Sequence, residues 1–389
     1  MPSADLLVEL GLVLVGLAAL GRLAGRFGLS PVPLYLVAGL GFGEGGILPL
    51  GPTEDFIEVG AGIGAVLLLF SLGLEYSPAE LAASLRTQRG AGLVDALLNF
   101  TPGMIAGLAL GWDTKAALLL GGITWVSSSG VVAKLLTDLG RIGNRETPAV
   151  LSILVIEDLA MAAYLPLMAT LLVEGSAASV AASVVAALGA VALAGWLAFR
   201  HGNTFSRAVF SQSDEVLLLS VLGLTLLVAG LAEAVHISAA VGAFFVGITL
   251  SGRAADSARA LTGPLRDLFA AVFFVFFGLA VDPFDLLPVA VVALLLGAVS
   301  CATKIATGWW AAARMGVGRA GRLRAGTILV AHGEFSVVVA SLGLAAGIED
   351  DLGAVAAGYV LVTAVAGPLL VKGLGRPSPP GAVTAPPLE

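Results

Sequence analysis

Apolar blocks of about twenty residues recur along the chain, each long enough to cross a ~30 Å hydrocarbon core as a helix. Runs such as Val185 to Leu197 are apolar on every face, which suits lipid rather than a surface half in water. Lipid offers the backbone no hydrogen bonds, so only helices or a closed barrel can span it. The period-two alternation of barrel strands is absent. The expectation is therefore an all-α integral membrane protein. Composition agrees: 12% of the 389 residues are charged, against roughly 25% in a soluble domain, and mean hydropathy is +0.99. The single cysteine, Cys301, rules out an internal disulfide and a Cys-based metal site. No basic patch is interleaved with aromatics, so no nucleic-acid partner is expected, and Met1 to Asp5 lacks the cationic start of a cleaved signal peptide.

Polar breaks divide the chain into thirteen candidate spans: 5–21, 31–43, 56–74, 90–110, 115–138, 148–173, 178–199, 215–234, 237–251, 264–281, 286–312, 326–346 and 353–371. With the N-terminus outside, every Lys and Arg except Lys115 and Lys304 falls in an inner loop or an adjoining span end, while the outer loops are acidic. One missed or added span would scramble that segregation, so the positive-inside rule supports the count, the orientation and a cytoplasmic C-terminus in the cell membrane. The Pro-rich tail at 374–389 cannot build a core and is expected to be disordered.

Charges inside spans are costly and mark function by default. Glu157 and Asp158 lie in the sixth span, with Asp158 twelve residues from Glu146 and sixteen from Glu174, roughly 18 and 24 Å along a helix. That depth rules out a polar pair at a helix end. Lys304 lies ten residues before Arg314 in the eleventh span, roughly 15 Å deep and beyond easy snorkelling. Its expected partner is a carboxylate of the Glu157–Asp158 pair. A plain structural salt bridge is the competing reading.

Two other spans carry helix-breaking residues at mid-depth. The fifth holds Thr124, Ser127, Ser128, Ser129 and Gly130, and the twelfth holds His332, Gly333, Glu334 and Ser336. Small hydroxyl and glycine runs let a helix unwind and free its backbone groups and helix ends for an ion. Spans five and twelve run in opposite directions, as the two halves of an inverted repeat do. Ordinary packing of small residues competes for the serines, and a satisfied pair away from the ion competes for His332 and Glu334. The glycines at 11, 16 and 21, at 39, 41 and 43, and at 60, 62 and 64 read mostly as close-packing positions.

In order along the chain, VPLYLVAGLGFGEGGILPLGP, LLLFSLGLEYSPAEL, WVSSSGVVAKLLTDLG, LVIEDLAMAAYLPL, ISAAVGAFFVGITLSG, FFVFFGLAVD, Lys304 and HGEFSVVVASLG resemble the cation:proton antiporter-2 family, most closely its Kef-type branch. The resemblance covers about residues 5–373. It implies an inverted-repeat fold like that of the Na+/H+ antiporters, with two discontinuous crossing helices. It also implies dimerisation-domain helices at 1–75 and 201–281, core helices at 76–174 and 282–373, a linker at 175–200 and a homodimer. Asp158 becomes the carboxylate that binds the cation and the proton. Kef-type members carry Gln before that Asp, and sodium-selective relatives carry Asp or Asn; this chain carries Glu157.

The function expected is exchange of a monovalent cation, K+ before Na+, for protons, with no cofactor and no enzymatic chemistry. Asp158 would hold either ligand and Glu157 and Lys304 would set the balance between them. Thr124, Ser127, Ser128 and Ser129 would supply neutral oxygens, with His332 and Glu334 in support. A cation channel, a solute symporter on the same architecture and a non-transporting sensor are the rivals. A channel would show no obligatory proton coupling and a sensor no flux, while a symporter would need a wider, more neutral pocket than the adjacent Glu157 and Asp158 suggest.

Overall fold

Helices form where the apolar blocks lie and run on past them. The computed structural model describes residues 4–27, 31–43, 54–75, 78–141, 143–172, 204–207, 209–234 and 239–374, together with 189, 196 and 200. In chain order the helices are α1 (Ala4–Phe27), α2 (Val32–Phe42), α3 (Glu54–Glu75), α4 (Pro78–Ala109), α5 (Thr114–Trp125), α6 (Ser129–Asp138) and α7 (Thr147–Leu172). They continue with α8 (Asp214–Ala234), α9 (Ala239–Thr249), α10 (Gly252–Leu279), α11 (Leu286–Arg314), α12 (Arg319–Ile328), α13 (Glu334–Ala345) and α14 (Asp351–Leu374). Among the described residues, seven of these helices or helix pairs are long and apolar enough to cross a membrane.

The fifth and twelfth candidate spans each fall on two half-helices, α5–α6 and α12–α13, as their glycine and hydroxyl content predicts. The seventh span, 178–199, lies outside the described residues apart from Gly189 and Trp196, and so does the tail from 375. Two helices begin well before their apolar windows, α4 at Pro78 rather than 90 and α10 at Gly252 rather than 264. Hydropathy marks only the part of a helix in lipid, whereas the intrahelical hydrogen bonds continue into water.

Packing gathers the described helices into two sets that share one buried apolar core. Helix α3 packs on α9 and α10, α10 on α2, and α9 on α8. On the other side α4 packs on α5, α7 and α11, α11 on α12 and α14, and α13 on α5 and α14. Glycine pairs allow the closest contacts. A Cβ on Gly39 would meet the carbonyl of Val275 and, at 2.7 Å, Cα of Gly278, so α2 and α10 touch backbone to backbone. Gly43 and Gly64 pack as closely, but nothing lies within 4 Å of a Cβ built on Gly11, Gly16, Gly41 or Gly62. The close-packing reading therefore holds for only part of that glycine series: period alone does not say which face of a helix a neighbour covers.

Candidate cation site at the crossing of two broken helices

Helix α5 ends at Trp125 and α6 starts at Ser129, while α12 ends at Ile328 and α13 starts at Glu334. The short segments between them pass each other in the protein interior, joined where Ser128 N–H donates to the Ala331 carbonyl at 2.8 Å. A helix broken inside a membrane frees backbone groups that lipid cannot satisfy. The surrounding side chains take up that task. Ser336 Oγ donates to the Ile123 carbonyl at 2.7 Å and Tyr359 OH reaches the Thr124 carbonyl at 3.4 Å. The ring nitrogens of His332 lie 2.8 Å from the Val330 carbonyl and 3.2 Å from that of Thr124. A neutral imidazole carries one N–H, so His332 donates to one of these two carbonyls and sets its other nitrogen beside the second.

The amide ends of the half-helices are met by carboxylates. Ser127 N–H donates to Glu157 Oε2 at 2.8 Å, and Ser127 Oγ to Oε1 at 3.3 Å. Glu334, the first residue of α13, accepts from Ser128 Oγ at 2.6 Å and from Ser129 Oγ and Gly130 N–H at 3.4 Å. A negative side chain thus faces the N-termini of both α6 and α13, where the helix dipoles favour it.

Asp158 is buried in α7, 1% exposed, so it faces neither lipid nor bulk water. Successive helical residues point about 100° apart, so Asp158 and its neighbour Glu157 address different surroundings. Glu157 points to α11, where Lys304 Nζ donates to its Oε1 at 2.5 Å. The expected pairing of Lys304 with this dyad is present, but it is incomplete. Lys304 also donates to Asp95 Oδ1 at 3.0 Å, from α4. Asp95 carries further donors: Asn99 Nδ2 at 2.8 Å and Trp125 Nε1 at 2.9 Å. Asp95 was missed in the sequence because it lies only five residues into the apolar part of span four. A charge inside an apolar run was nevertheless the available signal. The Thr124 hydroxyl donates to the Asn99 carbonyl at 2.9 Å, tying the same two helices together.

An open cavity of about 390 Å³ reaches the crossing from between α2, α3 and α10. Ser128, Ser129 and Glu334 form one wall, opposite Tyr35, Arg266 and Asp267. A carboxylate and two hydroxyls on a water-accessible wall are hard oxygen donors suited to a small cation.

Residues 12–374 match the family described as sodium/hydrogen exchanger, transmembrane. The chain belongs to the sodium/hydrogen exchanger family. It is thus a multi-pass member of a transporter family, and its relatives bear out the Kef-type resemblance. The K(+)/H(+) antiporter subunit KhtU of Bacillus subtilis is 34% identical over 379 residues, covering 94% of this chain and 93% of KhtU. The ammonium/H(+) antiporter subunit AmhT of Alkalihalophilus pseudofirmus is 29% identical, covering 94% of this chain and 92% of AmhT. The glutathione-regulated potassium-efflux system protein KefC of Klebsiella pneumoniae is 30% identical over 84% of this chain and 54% of its own length. Among solved exchanger structures, the sodium proton antiporter MjNhaP1 of Methanocaldococcus jannaschii superposes with a TM-score of 0.70 at 18% identity, covering 95% of this chain and 99% of that one. That likeness bears out the antiporter-like fold.

Proposed function

We propose that this chain exchanges a monovalent cation, K+ before Na+, for protons by alternating access at Asp158. The observation that carries the reading is a buried aspartate beside an ion-paired Glu157–Lys304, at the crossing of two broken helices, in a chain of the exchanger family. A bare carboxylate is disfavoured away from water, so either a proton or a cation holds Asp158, and not both. Carrying that choice from one side to the other exchanges the two ligands. The crossing segment at Ser127, Ser128 and Ser129, with Thr124, contributes neutral oxygens as the cation sheds its water.

The names of KhtU and KefC favour K+, and that of AmhT adds ammonium to the candidates. In this reading the core helices, 76–174 and 282–373, move against dimerisation-domain helices at 1–75 and 201–281, joined by a linker at 175–200, within a homodimer. The N-terminus lies outside the cell membrane and the C-terminus in the cytoplasm, so the cavity beside Arg266 opens inward.

The test is the full chain in liposomes containing a pH-sensitive dye, with K+, Na+, Rb+ or NH4+ added outside. K+ gives the largest proton movement, and Asp158→Asn abolishes it while the protein still elutes as a folded species. Exchange that survives Asp158→Asn overturns the assignment, as does cation flux without proton movement.

A further inference from the structure

The walls of the open cavity are mostly apolar, with Leu68, Leu69, Ala270, Phe274 and Phe335 among them, and the charged side chains on them are Arg266, Asp267 and Glu334. Walls of low dielectric focus the field of any charge they carry. A guanidinium on the wall facing Ser128, Ser129 and Glu334 therefore opposes the approach of a cation to the crossing. Arg266 is answered by its neighbour in sequence. Its Nε and Nη2 both donate to one oxygen, Asp267 Oδ1, at 3.0 and 2.7 Å. Consecutive helical side chains point about 100° apart and do not ordinarily face each other. Arg259 and Asp256, also on α10, pair at the usual three-residue spacing. No acid other than Asp267 lies within four positions of Arg266 in the chain.

The pair reaches water, with side-chain exposures of 34% and 69%, so it adds little to stability. Its consequence is for the field in the cavity. We propose that Asp267 is a specificity-determining residue of the access route: it cancels Arg266 and leaves the cavity with the net negative charge of Glu334, which draws a monovalent cation toward the crossing. Without Asp267 the guanidinium and the Glu334 carboxylate offset each other, and the attraction is lost. Asp267 acts through the field and need not touch the ion. The inference rests on the exchange reading, because it concerns how the exchanged cation arrives.

The experiment measures KM and kcat for K+-driven proton movement in liposomes, with choline chloride holding the ionic strength constant. Arg266→Gln makes the walls more negative and Asp267→Asn makes them neutral, while the double variant restores the wild-type net charge. At about 10 mM salt, where the Debye length is about 30 Å, KM for K+ rises about threefold or more in Asp267→Asn and falls in Arg266→Gln. In the double variant it returns to within about twofold of the wild type, and kcat changes less than KM throughout. At about 1 M salt, where the Debye length is about 3 Å, the differences collapse. A merely structural role for Asp267 would produce neither the recovery nor the dependence on salt. An unchanged KM in Asp267→Asn overturns the proposal, as does a double variant that keeps the raised KM or a shift that persists at high salt. Where Asp267→Asn alone does not fold, an Arg266→Gln protein whose KM does not fall overturns it equally. A wild-type chain without K+-driven proton movement, or exchange that survives Asp158→Asn, strikes instead at the exchange reading itself.

Discussion

The backbone N–H of Ser128 donates to the carbonyl of Ala331 at 2.8 Å, so the break in each helix pair is completed by the break in the other. Neither interruption would be tolerable alone in lipid, where an unsatisfied backbone group costs several kcal/mol. Together with Glu157, Glu334, His332, Tyr359 and Ser336, this contact turns two defects into a polar centre. The strength of that arrangement can be probed one side chain at a time.

Glu334→Gln retains an oxygen for Ser128 Oγ but removes the charge facing the first turns of α6 and α13. The expected loss is about 1 kcal/mol of stability, the usual scale for a helix-terminal charge with a charge-assisted hydrogen bond. Thermal unfolding in detergent reads it directly. A Glu334→Gln protein as stable as the wild type at neutral pH removes the capping role.

His332→Phe keeps an aromatic ring against Tyr359, whose centroid lies 5.0 Å away, but withdraws both ring nitrogens from the Val330 and Thr124 carbonyls. Tyr359 still reaches Thr124, so the Val330 carbonyl bears most of the damage. A cost of about 1–3 kcal/mol follows from leaving a buried acceptor unmet. Amide hydrogen exchange should open first in α12 and α13; uniform exchange across the chain would argue against a local role.

Gly39→Ala places a Cβ against the Val275 carbonyl and Gly278 Cα, both backbone atoms that can yield only if α2 and α10 separate. Overpacking of this kind costs about 1–3 kcal/mol. Gly16→Ala is the control, since nothing lies within 4 Å of a Cβ there, and a mid-helix alanine gains about 0.5–1 kcal/mol over glycine. Equal melting temperatures for the two variants would show that the α2–α10 approach is not tight.

Outside the membrane, Glu146 pairs with Arg324 at 2.5 Å and accepts from Asn144 at 3.0 Å. Burial acts to raise this carboxyl, but the Arg324 guanidinium and the other donors outweigh it and hold the group below its ordinary value. A carboxyl depressed on folding adds stability above its unfolded value and loses it as pH falls through the folded one. Glu146→Gln therefore destabilises the protein at neutral pH, and the difference from the wild type shrinks on acidification. Melting curves taken at pH 7 and at pH 4 make the comparison, and a constant gap between them refutes the linkage.

Much of this centre is legible in the sequence alone. Glu157, Asp158 and Lys304 announced themselves because each interrupts an apolar run deep in its span. Asp95 interrupts span four in the same way, but it lies near the start of its apolar window, where a charge stands out less. Tyr359, Ser300 and Asn99 carry no charge and sit among residues that also serve ordinary packing. Nothing local separates the Tyr359 hydroxyl, 2.8 Å from Ser300 Oγ, from any other tyrosine in a span.

Lipid as solvent made the span lengths, the helical class and the two weak points at 124–130 and 332–336 properties of short stretches of chain, so they can be read one window at a time. The pairing of buried charges is another matter. Lys304 meets Glu157 across 147 positions and Asp95 across 209, and which carboxylate an ammonium reaches depends on how helices far apart in sequence are packed and turned. Only the folded protein could decide that Lys304 has two anions rather than one, or that the serines of one break serve the glutamate of the other.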